Sequence, residues 1–460
     1  MTGKKPSRPG ELGAGKLAAP AWRHEAASAE TEALFRKVSL RLLPLLGLCY
    51  LAAYVDRVNV GFAKLQMVQE LGLSDLAHGF GAGIFFLGYF LFEVPSNLIL
   101  HRVGARIWLA RIMVTWAIIS ASSALLAPIH GWFGAVASTY AFYAIRFLLG
   151  AAEAGFFPGV LLYLTYWFPA SRRAHAISLF IVAQPVAFVL GAPLSGLILE
   201  TCKGLAGLSA WQWMYLLEAL PAILLGIVLL LRLDNDVEQA RWLSGGERAL
   251  LIRALAEDQQ ESVRSDMASL AGDGGIWRLA LAYFLLVLGA YGINFWLPSI
   301  VKMAGIASER VVGLLTACPY AVGVAVMLFV TRRTRKAGQA RAGSAAMCGL
   351  AGVGLAISAF CSSLMPLMMI GMCVGVTGYL TGNALFWRLP SERIEGRALA
   401  AGLAAVNAVG NLGGFAGPYL VGMLVGRSSN PTIALLALAG SLIAAGAVLA
   451  TGRPSFTGAE

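Results

Sequence analysis

The sequence predicts an all-α integral membrane protein with twelve transmembrane helices arranged as two halves of six. Of its 460 residues, 58% are hydrophobic and only 13% are charged, whereas a soluble globular chain has about 45–50% apolar and about 25% charged residues. So much apolar surface cannot be buried in a water-soluble core. The composition therefore excludes a cytosolic enzyme, a disordered regulator and a secreted disulfide scaffold.

The apolar runs give the number of helices. A bilayer crossing needs about 20 mostly apolar residues, and a cleavable signal peptide is not evident before the first run. Twelve runs reach the required length: 38–63, 78–100, 106–127, 134–167, 174–199, 211–233, 277–301, 310–331, 342–361, 364–388, 397–425 and 431–452. The polar stretches between and around them predict a mostly disordered N-terminal arm, a first half, a solvated linker, a second half and a tail: 1–37, 38–233, 234–276, 277–452 and 453–460.

The positive charges predict the orientation of these helices. The chain has 35 Lys and Arg, of which 28 fall in the terminal arm and in alternate gaps, while the opposite gaps hold five. The positive-inside rule then predicts that the protein lies in the inner (cytoplasmic) membrane, with both termini and the linker on the cytoplasmic side. The net charge of +11 thus reflects the excess of Lys and Arg on the cytoplasmic side of the membrane, and no nucleic-acid partner is needed to explain it.

The two halves also resemble each other. Residues 191–196 read GAPLSG near the end of the fifth span, and residues 417–422 read GPYLVG near the end of the eleventh. Both segments run in the same direction through the membrane, which indicates a parallel repeat. Such repeats place the substrate site near the midplane, between the halves.

Charged residues inside the spans are the candidates for this site, since a charge at the centre of a membrane helix costs about 2.5–3.5 kcal/mol on insertion scales. Asp56 and Asn59 are three residues apart and share a helix face, while Arg57 points about 100° away. Each therefore needs a partner on another helix. Arg146 and Glu153 are seven residues apart and lie on one face of the fourth span.

Fixed cations beside titratable acids are the parts expected of a proton-coupled anion carrier. A guanidinium grips a carboxylate bidentately and does not lose its proton, whereas a carboxylate in a poorly hydrated site can bind one. The alternative is that the arginines form structural pairs with Glu153 that hold helices together. We interpret Glu93 and Glu218 as structural residues.

Uncharged polar residues inside the spans are weaker candidates. Gln184 precedes Pro185, which distorts the helix, and is a good candidate for a cavity-facing amide. Asn407 could instead form an interhelical hydrogen bond, and Trp387 could belong to the interfacial aromatic belt. The six scattered cysteines lack metal-ligand spacing, and we predict neither a metal nor a cofactor.

The ordered motifs resemble the major facilitator superfamily, and within it the anion:cation symporter family, closest to bacterial tartrate and phthalate permeases. The motifs extend over nearly the whole chain after residue 35. They are Tyr54-x-Asp56-Arg57-x-Asn59, Glu93-Val94-Pro95-Ser96-Asn97, Arg102-x-Gly104-Ala105-Arg106, Arg146-Phe-Leu-Leu-Gly150-x-x-Glu153-Ala-Gly155, Trp167-Phe-Pro, Phe386-Trp387 and Asn407-x-x-Gly410-Asn411.

The resemblance implies a role for each candidate residue. It implies that Asp56 and Glu153 carry protons and that Arg57 and Arg146 bind or gate the substrate carboxylate. The polar positions of the substrate cavity would be Tyr54, Gln184, Trp387 and Asn407. Apolar residues 384–386 stand where sugar-acid members have small hydroxyl residues, which favours a dicarboxylate or an aromatic acid.

We therefore expect a monomeric carrier of the major facilitator fold, which imports a small organic anion with protons across the lipid bilayer by alternating access. The alternatives are a proton-driven exporter or antiporter on the same fold, and a non-transporting receptor or channel. No ring of one charge lines a pore in the predicted spans, and we find no catalytic motif.

Overall fold

The computed structural model describes residues 21–259, 273–334, 337–389, 397–428 and 430–451. These segments are helical and connected by short turns, and no strand occurs among them. The helices are α1 (Ala21–Glu70), α2 (Asp75–Val103), α3 (Ala105–Ala121), α4 (Leu126–Glu153), α5 (Phe156–Thr165), α6 (Ala170–Ile181), α7 (Ala183–Thr201), α8 (Ala210–Arg232), α9 (Gly245–Gln259), α10 (Gly274–Met303), α11 (Glu309–Arg333), α12 (Ala337–Phe360), α13 (Met365–Phe386), α14 (Arg397–Ser428) and α15 (Pro431–Ala450).

The predicted membrane fold is confirmed. Eleven helical segments in the described residues are long and apolar enough to cross a bilayer, and one of them, Ala105–Thr165, has 61 residues. A straight helix of that length would span about 90 Å, three times the hydrocarbon core. The segment turns through a 3₁₀ helix at Ser122–Leu125, and α3 packs against α4. It therefore makes two crossings, which gives twelve.

Several helix starts are fixed by side-chain caps. Ser74 accepts a hydrogen bond from the Ala77 amide at the start of α2, and Ser308 does the same for α11. Ser209 and Gln212 form a capping box at the start of α8. Such caps satisfy backbone donors that have no partner within the helix, so these polar residues define where the apolar helices begin.

Two of the predicted spans are broken helices. The fourth is divided at Gly155, whose φ of 87° ends α4 and starts α5. The fifth is divided at Val182 into α6 and α7. The break at Gly155 directly follows Glu153, the last residue of α4, so it fixes where this candidate acid lies.

The structure differs from two further expectations. Residues 21–37 of the predicted arm belong to α1, and the linker is packed against the first half rather than solvated throughout. Val237, Ala240 and Leu243 are buried, and α9 follows them. The predicted tail, 453–460, and linker residues 260–272 lie outside the described residues.

In the described part of the chain, the most extensive contacts between the two halves are those of α1 with α10, α2 with α14, and α7 with α11. We call the membrane surface next to α9 the linker side, and the surface at which α2 and α11 begin the far side. At the far side the helices touch backbone to backbone. A Cβ added at Gly422 would lie 2.5 Å from the Asp75 carbonyl oxygen, and one added at Gly196 would lie 2.5 Å from that of Glu309. The space between the halves is therefore closed at the far side.

Candidate functional site

A buried ion pair lies where the halves meet. Arg57 on α1 donates from Nη2 to the Glu153 carboxylate at the end of α4, and both side chains are almost fully buried. Arg57 Nη1 also donates to the Tyr291 hydroxyl on α10, at 3.1 Å. Arg57 thus joins an acid of the first half to a tyrosine of the second, so the sequence's requirement for a partner on another helix is met.

Aromatic rings surround the Arg57 guanidinium. Its carbon lies 4.6 Å from the centre of the Tyr54 ring, 5.0 Å from that of Phe85 and 5.7 Å from that of Tyr89. The Tyr54 and Tyr291 hydroxyls are 3.3 Å apart. Rings at this distance attract a cation through their quadrupole, and the Tyr291 hydroxyl accepts a hydrogen bond from it, so the guanidinium is stabilised by more than its ion pair with Glu153.

Arg146 has a different environment. It is 1% exposed, and none of its three guanidinium nitrogens has a hydrogen-bond partner among the described residues. Its guanidinium carbon lies 5.1 Å from the centre of the Phe85 ring, the same ring that Arg57 approaches. Arg146 is therefore close to Arg57 but enclosed within the first half, whereas Arg57 reaches the second half.

Asp56 is buried beside these arginines and has its own partners. Its Oδ1 accepts a hydrogen bond from the Ser120 hydroxyl on α3 and another from Asn59 Nδ2, at 3.2 Å. The contact with Asn59 confirms that these two residues share a helix face. Asp56 and Arg57 diverge, as the helical geometry predicted: Asp56 faces α3 and Arg57 faces α4.

The four polar candidates for the cavity lie in four different environments. Tyr54 belongs to the Arg57 cluster. Asn407 on α14 donates to Glu93 Oε1 on α2 at 3.2 Å, so Glu93 also takes part in a contact between the halves. Trp387 packs edge-on against Tyr283, with ring centres 4.8 Å apart. Gln184 is half-buried at the start of α7.

Sequence reasoning missed the tyrosines of the second half. Tyr291 contacts Arg57, and Tyr320 and Tyr379 both donate to Asn294 Oδ1 at 2.7 Å. Tyrosines usually gather at the membrane–water interface, so tyrosines in the middle of a span were the available signal. Their contacts depend on helix packing, which the sequence pattern does not give.

A separate cavity of about 660 Å³ opens at the far side of the first half. Its lining includes Glu70, Ser122, Gln212 and Leu216, and none of the Arg57 cluster. We therefore place the candidate site at the Arg57 cluster, where charged side chains converge between the halves. Among the described residues, no group of three His, Cys, Asp or Glu could hold a metal ion.

Comparisons with known proteins agree with this architecture. A family model described as Major Facilitator Superfamily matches residues 46–418. The chain is 44% identical over 416 residues to a protein of Agrobacterium vitis named "Putative tartrate transporter", covering 90% of this chain and 93% of that one. It is 38% identical over 401 residues to the "Quinolone resistance transporter" of Acinetobacter baumannii, covering 86% and 89%.

A solved structure shows the same fold. The inward-open xylose transporter XylE from E. coli has a TM-score of 0.71 to this chain at 13% sequence identity, covering 92% of this chain and 97% of that one. Twelve crossings around charged residues held between two bundles, together with the relatives above, define a multi-pass membrane transporter and not an enzyme. The chain belongs to the Major Facilitator Superfamily.

Proposed function

We propose that this transporter imports a small organic anion together with protons across the cytoplasmic membrane, by alternating access. The excess of Lys and Arg on the linker side supports a cytoplasmic location for that side and for both termini. The far side, closed in the structure, is then the external side.

The contact of Arg57 with both halves is the observation that carries this proposal. A permanently charged guanidinium bound to Glu153 and to Tyr291 can exchange its carboxylate partner. When a proton neutralises Glu153, Arg57 becomes free to bind the carboxylate of a substrate. The bound anion then replaces the charge of Glu153, and Tyr291 links the occupancy of this site to the second half.

Arg146 and Asp56 have supporting roles in this scheme. The guanidinium of Arg146 makes no hydrogen bond among the described residues; it adds a second positive charge near the Phe85 ring that Arg57 also approaches, which favours an anion at the site. Asp56 is the second proton carrier. We propose that the rest of the substrate contacts four polar residues of the two halves: Tyr54, Gln184, Trp387 and Asn407.

The aromatic wall favours a dicarboxylate or an aromatic carboxylate as the substrate. The Tyr283 and Phe386 rings stack with centres 5.0 Å apart, and Trp387 packs on Tyr283. Such a wall offers few hydrogen-bond partners to a heavily hydroxylated sugar acid. The relative named for tartrate makes a dicarboxylate the first substrate to test.

The test is uptake of labelled tartrate into proteoliposomes, with phthalate as an aromatic alternative. An inward pH gradient should drive accumulation by the wild type, and Arg57→Ala and Arg146→Ala should abolish it. The exposed arginine Arg427 provides a matched control, and Arg427→Ala should retain uptake. Full uptake by both site variants would show that their arginines are structural.

Drug export is the second candidate function, and the relative named for quinolone resistance favours it. An exporter would move its substrate against the direction of the protons, so an outward pH gradient would be required for uptake into the same vesicles. Substrate counterflow measured without a pH gradient separates either carrier from a channel or a receptor, since only a carrier exchanges labelled for unlabelled substrate.

A further inference from the structure

A third buried carboxylate, Glu218, lies outside the scheme described so far. It is on α8, about 12 Å along the helix from its first residue, and is 3% exposed. Its Oε1 accepts a hydrogen bond from the Ser195 hydroxyl of α7, at 2.6 Å. Its Oε2 is buried and has no partner among the described residues.

Among the described residues, Glu218 interacts with an acid and with the buried Tyr215 hydroxyl of its own helix, but with no cation. The charged group that interacts with it is Asp56, and the Asn59 side chain adjoins both carboxyls. Ser195 is its contact from α7. On α3, which also packs against α8, Ser120 donates to Asp56. None of the salt bridges in the described part of the chain involves Glu218.

The buried charges of the first half do not balance if every acid is ionised. Two guanidiniums, Arg57 and Arg146, face three carboxylates, Asp56, Glu153 and Glu218. Arg57 is paired with Glu153, and Arg146 interacts electrostatically with Asp56. An excess negative charge would then remain on Glu218, and burying an uncompensated charge is strongly unfavourable.

Two unsatisfied oxygens show where a proton would resolve this imbalance. Asn59 Nδ2 donates to Asp56, which leaves Asn59 Oδ1 as a buried acceptor without a donor. Glu218 Oε2 is the second such atom. A proton on Glu218 would turn one acceptor into a donor, and its hydroxyl could bind Asn59 Oδ1 without disturbing the bond from Ser195.

We propose that Glu218 is a third proton site of this transporter, protonated while Asp56 is ionised and connected to it through the Asn59 amide. An amide offers a donor and an acceptor at once. With the Asn59 amide oriented as observed, its Nδ2 donates to the Asp56 carboxylate, and its free Oδ1 would accept from protonated Glu218. In the second arrangement the same proton is on Asp56 and Glu218 is ionised: the amide is turned over, so that it accepts from Asp56 and donates to Glu218. The total proton count of the pair stays at one.

Infrared difference spectroscopy on the purified protein, without substrate, tests the protonation itself. A buried protonated carboxyl has a carbonyl band that shifts on deuterium exchange, and we expect this band in the wild type at neutral pH. Glu218→Gln should remove it, and Glu70→Gln, which alters an exposed acid, should leave it. A wild type without the band, or an unchanged band in Glu218→Gln, would overturn the proposal.

The glutamine variant should fold because its amide reproduces both hydrogen bonds of the protonated acid. If it is nevertheless not obtained, Asn59→Ala provides the same test, since removal of the acceptor should shift the band. A band at the wild-type position in Asn59→Ala would contradict the connection through Asn59.

A transport measurement then tests the consequence of the proposal, which rests on the proton-coupled uptake proposed above. Glu218→Gln should lose accumulation driven by the pH gradient and retain counterflow, a separation that a merely structural residue would not produce. Loss of both activities in a folded variant, or of neither, would contradict a proton-binding role. If the infrared band is found but no organic anion is transported, the proposed substrate fails while the protonation of Glu218 stands.

Discussion

At the residue scale, the Arg57–Glu153 pair explains how an anion site can be kept closed without an anion. The guanidinium is buried with one carboxylate, one hydroxyl and three rings. Removing one partner of a buried pair is far more costly than keeping both, so the pair opens only when a proton or a second carboxylate compensates. This is the physical basis for linking the binding of a proton to the binding of an anion.

The first prediction concerns Glu153→Gln, which resembles the protonated acid. Arg57 would then be available to substrate at every pH, and the pH gradient would no longer be used. We expect gradient-driven uptake to fall to the background while counterflow persists. Uptake and counterflow in proteoliposomes measure the two activities, with Glu238→Gln, a change at an exposed carboxyl of the linker, as the control. Retained pH-driven accumulation would exclude Glu153 as a proton carrier.

The second prediction concerns the hydroxyl of Tyr291, which contacts Arg57 at 3.1 Å and Tyr54 at 3.3 Å. A hydrogen bond to a charged group contributes about 1.5–3 kcal/mol, so Tyr291→Phe should raise the KM for substrate roughly tenfold or more. Tyr140→Phe, at an exposed tyrosine, should leave the KM unchanged. An unaltered KM in Tyr291→Phe would mean that the hydroxyl does not support the site.

The sequence predicted part of this site because membrane burial restricts charges. Asp56, Arg57 and Glu153 are costly in a bilayer, and their helical spacing showed which of them share a face. Tyr291 was not predictable in this way, since it is 234 residues from Arg57 and its hydroxyl is tolerated in apolar runs. The enclosure of Arg146 within the first half also depends on helix packing rather than on spacing.

At the element scale, the linker is attached to the first half mainly by aromatic packing. The Trp242 ring stacks on Trp167, with centres 5.7 Å apart, and its Nε1 donates to Asp234 Oδ2 at 2.9 Å. The nearby Lys37–Glu247 ion pair is partly exposed, with side chains 45% and 29% accessible. Exposed pairs contribute about 0–1 kcal/mol, so the tryptophan is expected to dominate.

The third prediction follows from this difference. Trp242→Ala loses about 2 kcal/mol of apolar burial, which corresponds to about a 30-fold rise in the population of the detached linker. Trypsin cleavage of the linker should accelerate by a similar factor, because cleavage follows the open population when opening is fast. Lys37→Ala should change the rate little. Equal rates in both variants would contradict the packing argument.

The fourth prediction concerns the pH dependence of the same attachment. The Lys37 side chain and the Ser244 amide donate hydrogen bonds that lower the pKa of Glu247 below its ordinary 4.5. A lowered pKa means that the contact is present above the ordinary value and is lost as the pH falls through the lowered one. Trypsin cleavage of the wild-type linker, corrected for the pH dependence of trypsin, should therefore be constant across the neutral range. A rate that rises on mild acidification would show that another group controls the attachment.

The helix breaks mark the limit of prediction at this scale. Hydropathy located the spans because their length and apolar content follow directly from the bilayer. It treated α4 and α5 as one span because the break depends on one residue, Gly155, in a conformation with positive φ beside Ser96. Glycine is common throughout these helices, so the sequence does not show which one interrupts a helix.

At the scale of the whole molecule, two equivalent helix crossings close the far side, α2 with α14 and α7 with α11, and in each a glycine packs against a backbone carbonyl. A Cβ at Gly79 would lie 2.5 Å from the Pro418 carbonyl oxygen, and one at Gly313 would lie 2.5 Å from that of Ala192. Each of these carbonyls is four residues before a glycine of the partner helix, Gly422 or Gly196. The GAPLSG and GPYLVG segments, which indicated the internal repeat, supply these equivalent positions.

The fifth prediction is that a single methyl group at this crossing opens the far side. In Gly422→Ala the new Cβ would meet the backbone of α2, which cannot move aside as a flexible side chain can, so α2 and α14 must separate. Gly440→Ala is the matched control, because a Cβ there has open space around it.

The reporter is Phe295→Cys in a chain without its native cysteines, since Phe295 is 1% exposed and its backbone packs against Gly61. An impermeant maleimide added at the far side should label this cysteine faster in Gly422→Ala than in Gly440→Ala. Equal labelling would mean that close glycine contact does not hold the halves together, and the closed far side would then depend on polar contacts such as Lys203–Glu309.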